Sequence, residues 1–199
     1  ESDMRPINRF KKIAPWEHFP FQFCCMTVQE NGLADLLEFV HPDPSDPREN
    51  FIENLISEIG PVGSVLAHNA SYERKRLEDL AALYPQHKKK IDSIIHRIRD
   101  MEEGLKRSIV HPDFNGSYSL KAVIPVLIKS QVFLDFVQYN DLVVQDGLQA
   151  GAVWDRYVHS TNPSERRLLL HGLRAYCRTD TMGMIEIVEV MLSWLEDEA

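Results

Sequence analysis

Between Leu168 and Leu195 apolar side chains recur at the roughly 100° per residue that marks one face of a helix. Leu169, Leu173, Cys177, Met184, Ile187, Met191 and Leu195 form the stripe. Asp180 falls in its middle, Tyr176 lies one turn earlier on the same face, and Trp194 sits at the far end. An ionised carboxylate among buried apolar groups is costly unless it is paired, hydrogen-bonded or bound to a metal. The ordinary explanations are a bond to Thr181 or an arginine, or a helix break at "CRTDT".

Upstream, "HFPFQFCCMTV" (18–28) alternates loosely as a strand does, "ENG" supplies a turn, and "LADLLEFVH" reads as the second arm of a hairpin. Asp46, in the proline-punctuated loop 41–47, offers an N-cap for the helix "RENFIENLISEIG", which Gly60 and Pro61 end. "GSVLAHN" reads as a short buried strand, and Ser71 as the cap of "YERKRLEDLAALYP", stopped by Pro85. The basic helix "QHKKKIDSIIHRIRD" turns Ile91, Ile94, Ile95 and Ile98 inward. "HPDFNGSYS" is a loop, "SLKAVIPVLI" a short helix, "YNDLVV" an extended piece and "DGLQAGAVWDRYVH" a helix. Strands first, then a helix, a strand and several helices describe an α/β or α+β domain with a small mixed sheet. Three or four strands are visible, which is few. No repeat or long linker divides residues 1–199, so a single domain is expected.

Composition changes this picture little. Twenty-two basic and 30 acidic residues leave a net charge of −8. That counts against a protein that coats nucleic acid through its phosphates. It leaves room for an enzyme with a basic rim around an acidic, metal-loaded pocket, because the ion's own charge changes the local field. Three cysteines, two of them adjacent, suit a reducing compartment and no disulfide framework. No apolar run approaches the roughly 18 residues a membrane span needs, and the first residues lack a secretion-signal layout. A cytoplasmic protein is expected. The chain opens on Glu1 rather than Met, which suggests a fragment of a longer polypeptide.

Two further places carry chemistry. In "AHNASYERKRL", Asn69 ends a strand while Tyr72 and Glu73 open a helix, the junction where α/β folds place ligand-handling groups. Glu73 alone means little, since acids favour helix N-termini for dipole reasons, and Asn69 could be a simple turn residue. Lys121 and the run Arg74–Lys75–Arg76 could meet substrate phosphates, although solvated helix faces explain such runs more often. "HKKK" (87–90) reads as surface. Tyr118, in a Gly-Ser-rich loop, could stack on a base. Asp100 is either an extra acid near a site or a solvated one. The eight histidines show no zinc spacing with a cysteine.

Tyr176 and Asp180 form Tyr-x-x-x-Asp, and Asn69, Tyr72 and Glu73 form Asn-x-x-aromatic-acid. In these motifs the chain resembles the DnaQ-like, or DEDD, 3′–5′ exonuclease superfamily, and its tyrosine-bearing branch in particular. "PFQF", "DPRENF", "HNASYER", "HPDFNGSYSLKAVIPVL", "QDGLQA" and "YCRTDTMGM" are similar to the bacterial domain-of-unknown-function family 2779, over nearly the whole chain. The resemblance implies a ribonuclease H-like fold and a 3′–5′ exonuclease acting on DNA or RNA. It also implies two divalent ions, Mg²⁺ or Mn²⁺, held by Glu1, Glu73 and Asp180. Tyr176 would orient the attacking water, and a single-stranded or frayed 3′ end would be the substrate. Asn69, Tyr72, Tyr118 and Lys121 would contact that substrate. Glu1 would be the glutamate of an Asp-x-Glu motif on a truncated opening strand, its aspartate lying two residues upstream. Asp3 stands on the wrong side of the glutamate to replace it. Glu73 replaces the usual aspartate and reaches one methylene further. The resemblance also suggests a companion domain upstream. The same residues leave two other expectations open: a catalytically degenerate nucleic-acid-binding or protein-interaction module of the same fold, and an unrelated interaction domain in which Asp180 is merely paired.

Overall fold

The computed structural model describes residues 1–29, 34–127 and 142–196. Among them the chain forms six short strands: β1 (Ser2–Met4), β2 (His18–Pro20), β3 (Gln22–Val28), β4 (Ala34–Val40), β5 (Val65–Ala67) and β6 (Ile98–Asp100). Seven α-helices accompany them: α1 (Arg48–Ile59), α2 (Ala70–Leu83), α3 (Lys88–Arg97), α4 (Met101–Ser108), α5 (Leu120–Leu127), α6 (Gly147–His159) and α7 (Pro163–Glu196). This is a mixed α/β arrangement. No helix among the described residues is long and apolar enough to cross a membrane.

The stretch 18–28 is extended, as its alternation predicts, but it breaks at Phe21 into β2 and β3. β2 pairs antiparallel with β1, and β3 pairs antiparallel with β4 in the register Gln22↔Val40 to Val28↔Ala34. Phe21 links the two ladders: its N–H donates to Glu1 O, and its carbonyl accepts from His41 N. β5 and β6 form a separate parallel pair. The basic helix ends at Arg97, so Ile98–Asp100, expected as its last turn, form β6 instead. α4 had no counterpart in the periodicity. A three-residue strand and an eight-residue helix are too short to show one. Half of the "YNDLVV" piece lies outside the described residues, and the part inside, 142–144, is neither strand nor helix.

Three apolar cores hold these parts together. One joins Phe19 and Phe21 to α6 and the first half of α7 around Trp154, which stacks on Phe21 with ring centroids 4.9 Å apart. Its indole N–H donates to His41 O at 3.0 Å, so this fully buried ring keeps its polar edge satisfied. The second packs the β3–β4 face against α1, α2 and α3, with Phe23, Phe51, Ile52 and Ile91 at its centre. The third lies between α4, α5 and the later turns of α7.

Several local expectations are corrected. The N-cap of α2 is Asn69, two residues before Ser71. Pro47 holds the N-cap position of α1, and Asp46, just before it, accepts from the first helical N–H, Arg48 N, at 3.1 Å. Asp46 also accepts from Arg48 Nε at 2.9 Å, and the buried Arg48 ties to Lys11 and Lys12 carbonyls. β5 is not buried: Leu66 is 42% exposed. α7 runs unbroken through "CRTDT", so no helix break accounts for Asp180.

Candidate functional site

Glu1, Glu73 and Asp180 come from three elements distant in sequence, and all three line one cavity of about 360 Å³. Glu1 immediately precedes β1, Glu73 lies in the first turn of α2, and Asp180 sits half-buried in the middle of α7. The long helix passes across β3, where Thr181 Oγ1, next to Asp180, reaches Cys24 O at 3.3 Å. Periodicity put Asp180 on the inward face, and the packing of α7 on the sheet aims that face at the cavity.

Two glycines let Glu1 approach. A Cβ on Gly147 would lie 3.1 Å from Glu1 Oε2, and one on Gly151 would lie 2.6 Å from Asp3 Oδ1. One turn apart on α6, they give the helix a flat face against Glu1 and Asp3, themselves two residues apart along one strand.

The electrostatics of the cavity are acidic. Glu73 keeps an open surface, but that surface faces the cavity and protein encloses it. Burial raises its pKa above the ordinary 4.5, and Glu1 raises it further, while the α-amino group of Glu1 and Arg76 act in the opposite direction. Glu1 N donates to Gln22 O at 2.6 Å. Tyr176 is buried, and burial, Asp180 and Glu1 together push its phenol well above the ordinary value. It remains a hydroxyl at any ordinary pH. Burial likewise lifts the Cys25 thiol to about 11 and the Cys177 thiol well above 9.0. These thiols stay protonated and are poor nucleophiles.

The remaining predicted residues divide. Tyr72 lines the cavity, 38% exposed, its hydroxyl bonded to Ser2 Oγ and to His18 Nδ1 at 3.2 Å. Lys121 contacts Gln145 O and lies 6.0 Å from the centre of the Tyr176 ring, and neither Lys121 nor Tyr176 is part of the cavity wall. Asn69 is exposed in the left-handed region, φ 57°, where asparagine is tolerated, and it is not part of the cavity wall. Tyr118 also stands off the cavity. Its hydroxyl donates to Ile109 O at 2.8 Å and its ring meets Phe114 edge-on.

Asp100 proves to be neither a site acid nor a solvated one. Its Oδ1 accepts from Glu102 N and Glu103 N as the cap of α4, and its Oδ2 accepts from Ala70 N at the start of α2. Asp3 is buried against Arg5 at 2.7 Å, and so is committed elsewhere. Of the basic run, Arg74 bonds Ile98 O and Lys75 pairs with Asp79, while Arg76 reaches Asp79 Oδ2 at 3.3 Å and also lines the cavity under the Tyr72 ring. Within that run only α2's own helical phase could have singled Arg76 out, since it lies one turn from Tyr72 and Glu73.

The three carboxylates differ from a single-ion cage. Among the described residues, donor atoms within 4.8 Å of one another occur in the group Glu49, Glu53 and His87 on the surface of α1 and the turn 85–87. That group is off the cavity wall. Glu1, Glu73 and Asp180 are spread more widely around theirs.

A family model described as "Domain of unknown function (DUF2779)" matches residues 1–119, more than half of the chain. An uncharacterized protein of Ureaplasma parvum is 29% identical over 171 residues, 79% of this chain and 25% of its own length. An uncharacterized protein of Mycoplasma genitalium is 28% identical over 134 residues, 63% of this chain and 20% of its own length. The chain thus spans about a quarter or less of the curated relatives it matches. No solved structure matches it.

Proposed function

We propose, from the premise that the chain belongs to the DUF2779 family, that it is a metal-dependent 3′–5′ exonuclease domain of ribonuclease H-like fold, acting on a DNA or RNA end. The observation that carries this reading is the gathering of Glu1, Glu73 and Asp180 on one cavity, where negative charge outweighs positive.

The donor set fits hard divalent ions. It consists of carboxylate oxygens, which Mg²⁺ and Mn²⁺ prefer, brought from three separate elements to one cavity. Glu1, Glu73 and Asp180 would hold the ions, with no one ion bound by all three. Two such ions, when bound, neutralise phosphate charge and lower the pKa of a bound water. The chain's own groups do the rest. Tyr176, kept as a phenol by burial and by Asp180 and Glu1, takes no proton and would orient the attacking water as a neutral hydroxyl. Arg76 and Lys121 place positive charge at the cavity and beside Tyr176, where a phosphodiester enters. The protonated thiols leave water as the attacking group.

The test is release of nucleotides from single-stranded DNA and RNA by the full-length protein with Mn²⁺, compared with Asp180→Asn. Expected is activity in the wild type and its loss in the variant. Equal, near-zero rates would sink the enzyme reading for those substrates. The spread of the carboxylates favours a second reading, a catalytically silent binding module of the same fold. Mn²⁺ calorimetry on the full-length protein separates the two, since binding at two sites belongs to the enzyme alone.

A further inference from the structure

The loop between β1 and β2 departs from the charge of the rest of the chain. Met4 to Trp16 carries Arg5, Arg9, Lys11 and Lys12 and no acid, in a polypeptide of net charge −8. Asp3 and Asp155 answer Arg5 and Arg9. Lys11 and Lys12 are exposed, and among the described residues neither enters an ion pair.

The backbone of this loop is unusual. Among the described residues, four other than glycine have φ in the left-handed region: Lys12 at 56°, Trp16 at 64°, Asn69 and Asn115. Asparagine tolerates that region, whereas a bulky side chain seldom enters it. Residues 14–17 close a turn, with Glu17 N donating to Ala14 O at 3.1 Å and Ala14 N donating to Glu17 Oε2 at 2.7 Å. Proline second and a positive φ third are features of a type II turn, whose third position suits glycine. Trp16 stands there instead, 62% exposed. Its surroundings hold it firmly. Trp16 N donates to Arg5 O at 2.6 Å, Ile13 is buried, and Phe10 meets Phe19 edge-on at 5.2 Å. Arg48 fixes the Lys11 and Lys12 carbonyls from below. An indole held in a strained turn and left in solvent adds little to any core. Such strain gathers where ligands are gripped.

The loop also borders the acidic site. Lys12 and Glu17 line a small depression whose wall includes Pro20 and Arg76, and both of these line the large cavity too. Two residues beyond Trp16, the His18 ring meets Tyr72 edge-on. We propose that the loop grips an unpaired nucleic-acid strand outside the cavity, one base stacking on Trp16 while Lys11 and Lys12 hold neighbouring phosphates. An exposed indole accepts the face of any base. A duplex keeps those faces within its own stack, so the occupant is single-stranded. The two lysines supply the positive charge that a phosphate backbone requires. The inference rests on the proposed function for its class of substrate, and it adds a second contact region with residues of its own.

Fluorescence anisotropy of a labelled single-stranded oligonucleotide, titrated with the full-length protein in EDTA so that nothing is cleaved, tests the loop. Trp16→Gly should weaken binding about tenfold, the scale of one lost base–aromatic stack. It should leave the melting temperature nearly unchanged, because glycine suits the turn. Trp16→Phe should retain most of the affinity, and binding of a blunt duplex should not respond to Trp16→Gly. Lys11→Gln combined with Lys12→Gln should lower the slope of log affinity against log salt by about 1.4, the value for two single-strand phosphates. Equal single-strand affinities of wild type and Trp16→Gly overturn the stacking contact, as does a large fall in melting temperature, which makes Trp16 structural. An unchanged salt slope overturns the phosphate contacts. Trp16-dependent binding by a protein that cleaves nothing with Mn²⁺ leaves the loop standing while the enzyme reading falls. Cleavage together with equal affinities does the reverse.

Discussion

Glu1 and Asp3 stand two residues apart on one strand and meet the same glycine-bearing face of α6, yet their surroundings are opposite. Asp3 receives Arg5 at 2.7 Å and Arg9 at 4.0 Å, and Arg9 reaches on to Asp155 at 2.6 Å. Its charge is answered within the polypeptide, and the group reads as structural. Glu1 faces two further acids across a cavity whose wall also carries Arg76. Burying a carboxylate without a matched cation is unfavourable. On the proposed reading, the three acids that share the cavity hold divalent ions, whereas Asp3 does not. Sequence spacing makes the two look equivalent.

The largest expected contrast comes from removing each kind of acid in the full-length protein. Asp180→Asn should cut Mn²⁺-dependent nucleotide release by about a thousandfold while leaving the melting temperature in Mn²⁺-free buffer nearly unchanged. Asp3→Ala should do the reverse, costing about 1–2 kcal/mol in urea unfolding because Arg5, partly solvated, loses its nearest carboxylate while Arg9 keeps Asp155. If both variants lose stability equally and neither changes the metal response, the distinction collapses.

The two glycines sharpen the contrast at smaller scale. Gly151→Ala puts a methyl group 2.6 Å from the fixed carboxylate of Asp3 and should destabilise the fold by about 1–3 kcal/mol. Gly147→Ala meets the free end of the Glu1 side chain at 3.1 Å, which can swing aside. Its expected signature is weaker Mn²⁺ binding by calorimetry with little change in stability.

The smallest effect is a pH dependence. Folding raises the pKa of Glu73, so the folded state holds its proton more tightly than the unfolded state. Stability is then greatest below the ordinary glutamate value of 4.5 and falls as pH rises through the raised value. Glu73→Gln should flatten this decline in urea melts taken across that window. Mn²⁺ should offset it in the wild type, with release of protons on binding. A wild-type profile that rises with pH over the same range, beyond what Glu73→Gln shows, would contradict the assignment.

How much was legible follows from the range of each signal. The β3–β4 hairpin, α1, α6 and α7 were readable because each is long enough to show its period and its stop signals. β1, β6 and α4 were not, since three residues of strand or two turns of helix carry no period. Asp100 looked like any acid beside a helix, and only the arrival of the α2 N-terminus made it a double cap.

By itself, the amino-acid sequence determined that Asp180 and Tyr176 lie on the inward face of one helix, because helical phase is local. It also determined that a strand end meets a helix start at Asn69–Glu73. Which acids share a cavity, and which are already answered by arginine, was decided by tertiary structure alone. Asp180 stands more than a hundred residues from Glu1 and Glu73 in the chain, and no local pattern encodes their meeting, whereas Asp3 finds Arg5 and Arg9 close by in sequence.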